Sequence, residues 1–125
     1  MKKLFAIFLF IPAFVFASPC KNAKDIQSFN LCAFDFRDKA FKSLEKTYKI
    51  AIKNAENSDM SDDDGATSLD YLINSQKLWW KLKDLECKSP MWNFGSSGVG
   101  SVLICEAEKA SAREKELRNL YWAAP

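Results

Sequence analysis

The chain contains no histidine. That removes the side chain that most often serves as general base, proton shuttle and zinc ligand near neutral pH. Glycine is scarce, four in 125 residues, and three of the four fall between positions 95 and 100. Gly95, Gly98 and Gly100 have neither the lysine nor the preceding strand that a phosphate-binding loop requires. Carboxylates are available, but none are visibly paired in an apolar setting of the kind that shifts a pKa for catalysis. There is no internal repeat, no strand-like alternation of useful length and no apolar run near the roughly 20 residues of a membrane-spanning helix. These gaps predict a protein that is not an enzyme and needs no cofactor and no metal.

What is present begins with a positive start, Met1-Lys2-Lys3, followed by 13 apolar residues from Leu4 to Phe16 and by small residues up to Ala17. A charged segment, a short apolar segment and a small-residue cleavage site are the parts of a secretion signal. Pro12 inside the apolar run is a further argument against a permanent membrane helix. Pro19 directly precedes Cys20, where a lipidation signal has Gly or Ala. Cleavage is therefore expected after Ala17, giving a mature domain over residues 18–125 that is periplasmic or secreted. Without Lys2 and Lys3 the 18 basic residues fall to 16, equal to the 16 acidic ones. A neutral domain is a poor nucleic-acid binder.

Four cysteines remain, Cys20, Cys32, Cys87 and Cys105. An even count in a small exported chain predicts two disulfides. A four-thiolate metal site would show closely paired cysteines, which spacings of 12, 55 and 18 do not provide. Spacing alone allows three pairings. Cys20–Cys32 with Cys87–Cys105 is favoured, because each closes a short loop, and each bridge is worth about 3 kcal/mol.

Three helices are predicted. In the first, Phe29, Ala33, Phe36, Ala40, Leu44, Tyr48, Ala51 and Ala55 recur at steps of three and four, with Lys39, Lys42, Lys46, Lys49 and Lys53 mostly off that stripe. A polar loop follows over 56–66. Its Asp62-Asp63-Asp64-Gly65 does not fit a calcium loop, since Met60 falls at the first ligand position and no Glu at the twelfth. Thr67 or Ser68 is expected to cap the second helix. That helix runs to about Cys87, with Leu69, Leu72, Ile73, Gln76, Trp79, Trp80 and Lys83 at helical spacing. Adjacent tryptophans cannot both point inward, and Trp79, which shares a face with Leu72 and Gln76, is expected to be the one buried. A loop over 88–101 precedes a third helix, capped by Ser101, with Leu103, Ala107, Ala110, Leu117 and Tyr121 inward. Short connections predict an all-α, up-down-up bundle with Asp84 paired to Arg113 across the second and third helices.

The segment Ser75-Gln76-Lys77-Leu78-Trp79-Trp80-Lys81-Leu82-Lys83-Asp84-Leu85-Glu86-Cys87 resembles the A-Q-R-x-W-x-x-Y-R-D-x-E-C signature of the lysozyme inhibitor LprI-like family. Gln76, Trp79, Asp84, Glu86 and Cys87 match directly, and Lys77 and Lys83 are basic where the family is basic. Asn30-Leu31-Cys32 is similar to its N-x-C. Leu44 and Tyr48 fit its L-N-x-x-Y, and Cys105, Arg113 and Leu117 fit its C-x(7)-R-x(3)-L. The stretch 95–101 matches its glycine–serine loop. Leu82, Phe41 and Glu45 depart from the pattern and are expected to alter packing or caps.

The resemblance implies a non-enzymatic protein that binds a protein partner, a c-type lysozyme, and shields the cell wall. The glycine–serine loop is the expected contact. Its glycines allow close backbone approach, and Trp92 and Phe94 are of the types enriched at interfaces. Trp92, Phe94, Ser96, Ser97, Gly98 and Ser101 are therefore the candidate partner-binding residues, and Gln76, Trp79, Asp84 and Arg113 the candidate structural motif. An envelope interaction or assembly module is the alternative, and an immunity protein against a wall-degrading toxin is another.

Overall fold

A computed structural model describes residues 19–58, 60–90, 95 and 98–122. The expected secretion signal lies outside the described residues. Three helices form: α1 over Ile26–Glu56, α2 over Ser68–Lys88 and α3 over Gly98–Tyr121. No strand occurs among the described residues, only an isolated antiparallel bridge between Ser61 and Thr67. No helix among them is long and apolar enough to cross a membrane.

Each start has a local cause. The Asp25 side chain accepts from the Ser28 amide and caps α1, one turn ahead of the start expected from the apolar stripe at Phe29. Asp25 has extended backbone and supplies an acceptor to an otherwise unpaired amide of the first turn. Thr67 and Asp70 form a reciprocal capping box at the start of α2. The third start departs from expectation. Ser101 is the fourth residue of α3 and not its cap, because the helix already begins at Gly98.

The bundle runs up, down, up. Arg37 meets Glu106, Thr47 meets Glu114 and Asn54 meets the Tyr121 carbonyl, so α1 and α3 are parallel. Cys87 meets Cys105, Glu86 meets Lys109 and Gln76 meets Arg113, so α2 runs antiparallel to α3. The layers are unequal. Ala33, Ala40, Ala51 and Ala55 of α1 and Ala107 and Ala110 of α3 are all buried. Small side chains let those two backbones come close. Gly100 marks a close approach: a Cβ there would lie 2.5 Å from the Phe29 ring and 2.6 Å from Asn30 Oδ1. α2 stands further off and reaches the core through larger side chains, with Leu72 fully buried against Leu44 and Leu117 in the same core.

The disulfides are Cys20–Cys32 and Cys87–Cys105, as the loop-length argument favours. Both sit at the same end of the bundle. Trp79 packs against the core but is half-buried, while Trp80 is 49% exposed. The inward tryptophan is thus the expected one, with less burial than expected.

In the acidic loop, Asp62 is a turn organiser. Its Oδ1 accepts from the Asp64 and Ala66 amides, and the Tyr71 hydroxyl donates to its other oxygen. Gly65, with φ at +83°, supplies the left-handed residue the turn needs.

Candidate functional site

Of the residues expected to bind a partner, Trp92, Phe94, Ser96 and Ser97 lie outside the described residues. Gly98 is buried at the first position of α3, and Ser101 is half-buried in its first turn. Helix therefore occupies the last four residues of the stretch read as loop. The Cys87–Cys105 bridge ties the end of α2 to the first turns of α3 and fixes the base of what connects them.

The motif residues fall into two groups, not one. Arg113 is buried and is held by α2: its Nε donates to Gln76 Oε1 at 2.9 Å and its Nη2 to Ser75 Oγ at 3.0 Å, while Glu116 on its own helix takes Nη1. The expected Asp84–Arg113 pair does not form. The register that joins Cys87 to Cys105 and Gln76 to Arg113 sets Asp84 eight residues from Gln76, about 12 Å along the helix. Asp84 instead accepts from Lys83 at 2.7 Å and faces Lys88 at 3.8 Å. The hydrogen bond from Lys83 holds its carboxyl below the ordinary aspartate value.

The second group was not foreseen as a unit. Lys83 and Glu106 are both buried, with side chains only 4% and 6% exposed. Lys83 Nζ donates to Glu106 Oε1 at 3.3 Å, and Arg37 Nε donates to the other oxygen. Two aromatic rings, Phe41 and Trp80, lie against these cations, and Trp79 packs behind them. Lys83 Nζ lies 4.5 Å from the Trp80 ring centre and 5.3 Å from that of Phe41, and Arg37 lies 4.5 Å over Phe41. Phe41 and Trp80 are 5.2 Å apart, and Trp79 stacks on Trp80 at 5.4 Å. Cations over aromatic faces gain from the ring quadrupole, more so where water is excluded. The sequence signal existed: Lys83 occupies an inward position of the α2 stripe, and a lysine there requires a buried anion.

Beside this cluster, α1 and α2 part to leave a groove of about 570 Å³. Phe41, Leu44, Tyr48, Ile73 and Trp80 make its predominantly apolar lining, with Gln76 also lining it. Asp38, Lys42, Glu45 and Lys77 complete the lining and supply its charges. Burial pushes the Tyr48 hydroxyl above its ordinary pKa. Among the described residues no cluster of three or more metal-ligating side chains occurs.

The family model described as lysozyme inhibitor LprI matches residues 20–117, a span that includes all four cysteines, the whole of α1 and α2, and α3 as far as Leu117. No curated protein matches the chain, and no solved structure matches it.

Proposed function

The chain belongs to the lysozyme inhibitor LprI family, and from that membership we propose that it is an exported, non-enzymatic binding protein that blocks the cleft of a c-type lysozyme. The observation that carries this reading is the family match, which extends through the α2 motif, both disulfides and Arg113. The mechanism is steric. The connection from α2 to α3 is stapled at its base by Cys87–Cys105 and carries Trp92 and Phe94 as apolar anchors. Ser96 and Ser97, with the backbone amides, are donors for the carboxylates of a muramidase. Binding of this kind draws on a few well-placed aromatics more than on total area. Long-range charge steering contributes little, since the mature chain is neutral and lysozyme is basic.

The test is lysis of wall fragments by a c-type lysozyme with the oxidised protein in molar excess. Lysis should slow, and the double substitution Trp92→Ala with Phe94→Ala should restore it while leaving the helical circular dichroism and cooperative melting intact. Gly98 is unsuited to this test, because it is buried at the start of α3. No inhibition by the folded wild type would overturn the reading. It would favour an envelope assembly module, a reading that one observation supports: Tyr71, Leu78, Leu82 and Leu85, spaced by seven, four and three, form an exposed apolar stripe along the outer face of α2.

A further inference from the structure

We propose that the groove between α1 and α2 is a binding site for a small amphipathic carboxylate, an alkyl chain of medium length with one negative head, distinct from the loop that contacts lysozyme. The volume, about 570 Å³, falls within the range of small-molecule sites. Those sites are mainly apolar with a few polar groups that fix orientation, and this lining has that composition. Phe41, Leu44, Tyr48, Ile73 and Trp80 offer one apolar wall from each helix, and Phe41 to Tyr48 alone extends over about 10 Å of α1.

The charges around the groove decide the head group. Asp38 is already held by Lys42 at 2.7 Å, and Glu45 by Lys49 at 2.8 Å. The lowered pKa of Glu45 traces to Lys49 and not to any group on α2. Lys77 makes no ion pair among the described residues and is exposed. Gln76 beside it uses Oε1 to accept from Arg113, and its amide nitrogen donates to no described residue. The groove therefore presents one uncommitted cation and one uncommitted amide donor next to an apolar channel. A carboxylate can take both, one oxygen from each, as charge-assisted hydrogen bonds. An uncharged chain leaves the two donors unused. A cationic head meets Lys77, a like charge.

The groove is open because α2 is kept off α1 by bulk. Trp79, Trp80 and Lys83 wedge against Phe41 at one end, while the Arg113 contacts hold α2 to α3 on the other side. A ligand entering the gap displaces water from apolar surface without moving the α1–α3 seam.

The test is a calorimetric titration of the oxidised protein with dodecanoate below its micelle concentration, in the absence of lysozyme. Saturable one-to-one binding is expected. Dodecanol and dodecyltrimethylammonium should bind at least about tenfold more weakly, the factor that one charge-assisted hydrogen bond supplies. Lys77→Glu should weaken dodecanoate by a similar factor, and Ile73→Glu should abolish binding. Lys77 is exposed, so its substitution leaves the fold intact, and unchanged far-ultraviolet circular dichroism checks that. Dodecanoate fluorescence titration followed at Trp80 should lose its signal in Trp80→Phe. Absence of saturable binding overturns the proposal. So does equal affinity for the three ligands, or an unaltered affinity in Lys77→Glu, since either means apolar adhesion without a head-group site. Because lysozyme is absent throughout, these outcomes leave the inhibitory reading to its own assay.

Discussion

Removing both members of the buried Lys83–Glu106 pair should cost far less than the sum of removing each alone. Glu106→Leu leaves Lys83 buried with only Asp84, 2.7 Å away, to balance it, and leaves Arg37 to water. Breaking a buried pair typically costs 3–5 kcal/mol. The Arg37 side chain is 34% exposed and the Asp84 side chain 47%, so both can be solvated in part, and the lower end applies: about 3 kcal/mol. Lys83→Met leaves Glu106 paired with Arg37 and should cost about 2 kcal/mol. The double variant buries no charge. Leucine and methionine of similar volume would pack among Phe41, Trp79 and Trp80, and well-packed apolar replacement of buried ion pairs is often neutral or stabilising. Arg37 still loses its partner and the packing is not that of the native side chains, so the double loss should be about 2 kcal/mol, against about 5 expected from adding the singles, a coupling of about 3 kcal/mol. Urea unfolding of the oxidised protein, followed by circular dichroism at 222 nm, measures all four corners of the cycle. Additive losses, or a Glu106→Leu cost below about 0.5 kcal/mol, the range of ordinary surface changes, would show that these charges are solvated and do not depend on each other.

Three further outcomes follow from single contacts. Gly100→Ala must push the Phe29 ring aside, and although alanine favours helix, the crowding should leave a net loss of about 1–2 kcal/mol in urea unfolding; a gain in stability would mean the α1–α3 approach is looser than 2.5 Å implies. Trp79→Ala, at a half-buried position, should cost about 2 kcal/mol, less than the 3–5 typical of a fully buried tryptophan, and a smaller loss than in Trp80→Ala would contradict the packing. For Glu114, burial raises the pKa, but hydrogen bonds from Ser43, Arg118 and Thr47 outweigh it, and the carboxyl lies below the ordinary 4.5. A carboxyl lowered by folding stabilises the fold fully above its unfolded pKa and ceases to do so as pH falls through the folded one. The urea midpoint should thus hold from about pH 7 to 5 and fall below about pH 4.5, with a shallower fall in Glu114→Gln. A midpoint that rises on that acidification would refute the assignment.

Much of this protein was written in the order of its residues. The alanine stripe of α1 determined which face is buried, because a period of three and four places those side chains on one side of any α-helix. Thr67 and Asp70 set the start of α2 by chemistry confined to four residues. The loops closed by the cysteines were short enough to favour the observed pairs, Cys20 ahead of α1 with Cys32 near its start, and Cys87 at the end of α2 with Cys105 in the first turns of α3. The α2 segment from Gln76 to Cys87 was also enough to point to the family. Other features depended on relations between helices that no local pattern contains. The offset of α2 against α3 decided that Arg113 would find Gln76 and Ser75 and that Asp84 would not reach it, since eight residues of rise separate the two positions. The close seating of the first turn of α3 was decided by Gly100 against Phe29 and Asn30 of α1, where only a glycine leaves room. The partners of Lys83 came from all three helices: Glu106 from α3, Phe41 from α1 and Trp80 from its own helix. The groove beside them is a consequence of unequal spacing, alanine against alanine between α1 and α3 and tryptophan against phenylalanine between α1 and α2. Side-chain sizes are visible in a sequence, but which sizes face each other is settled only when the helices pack.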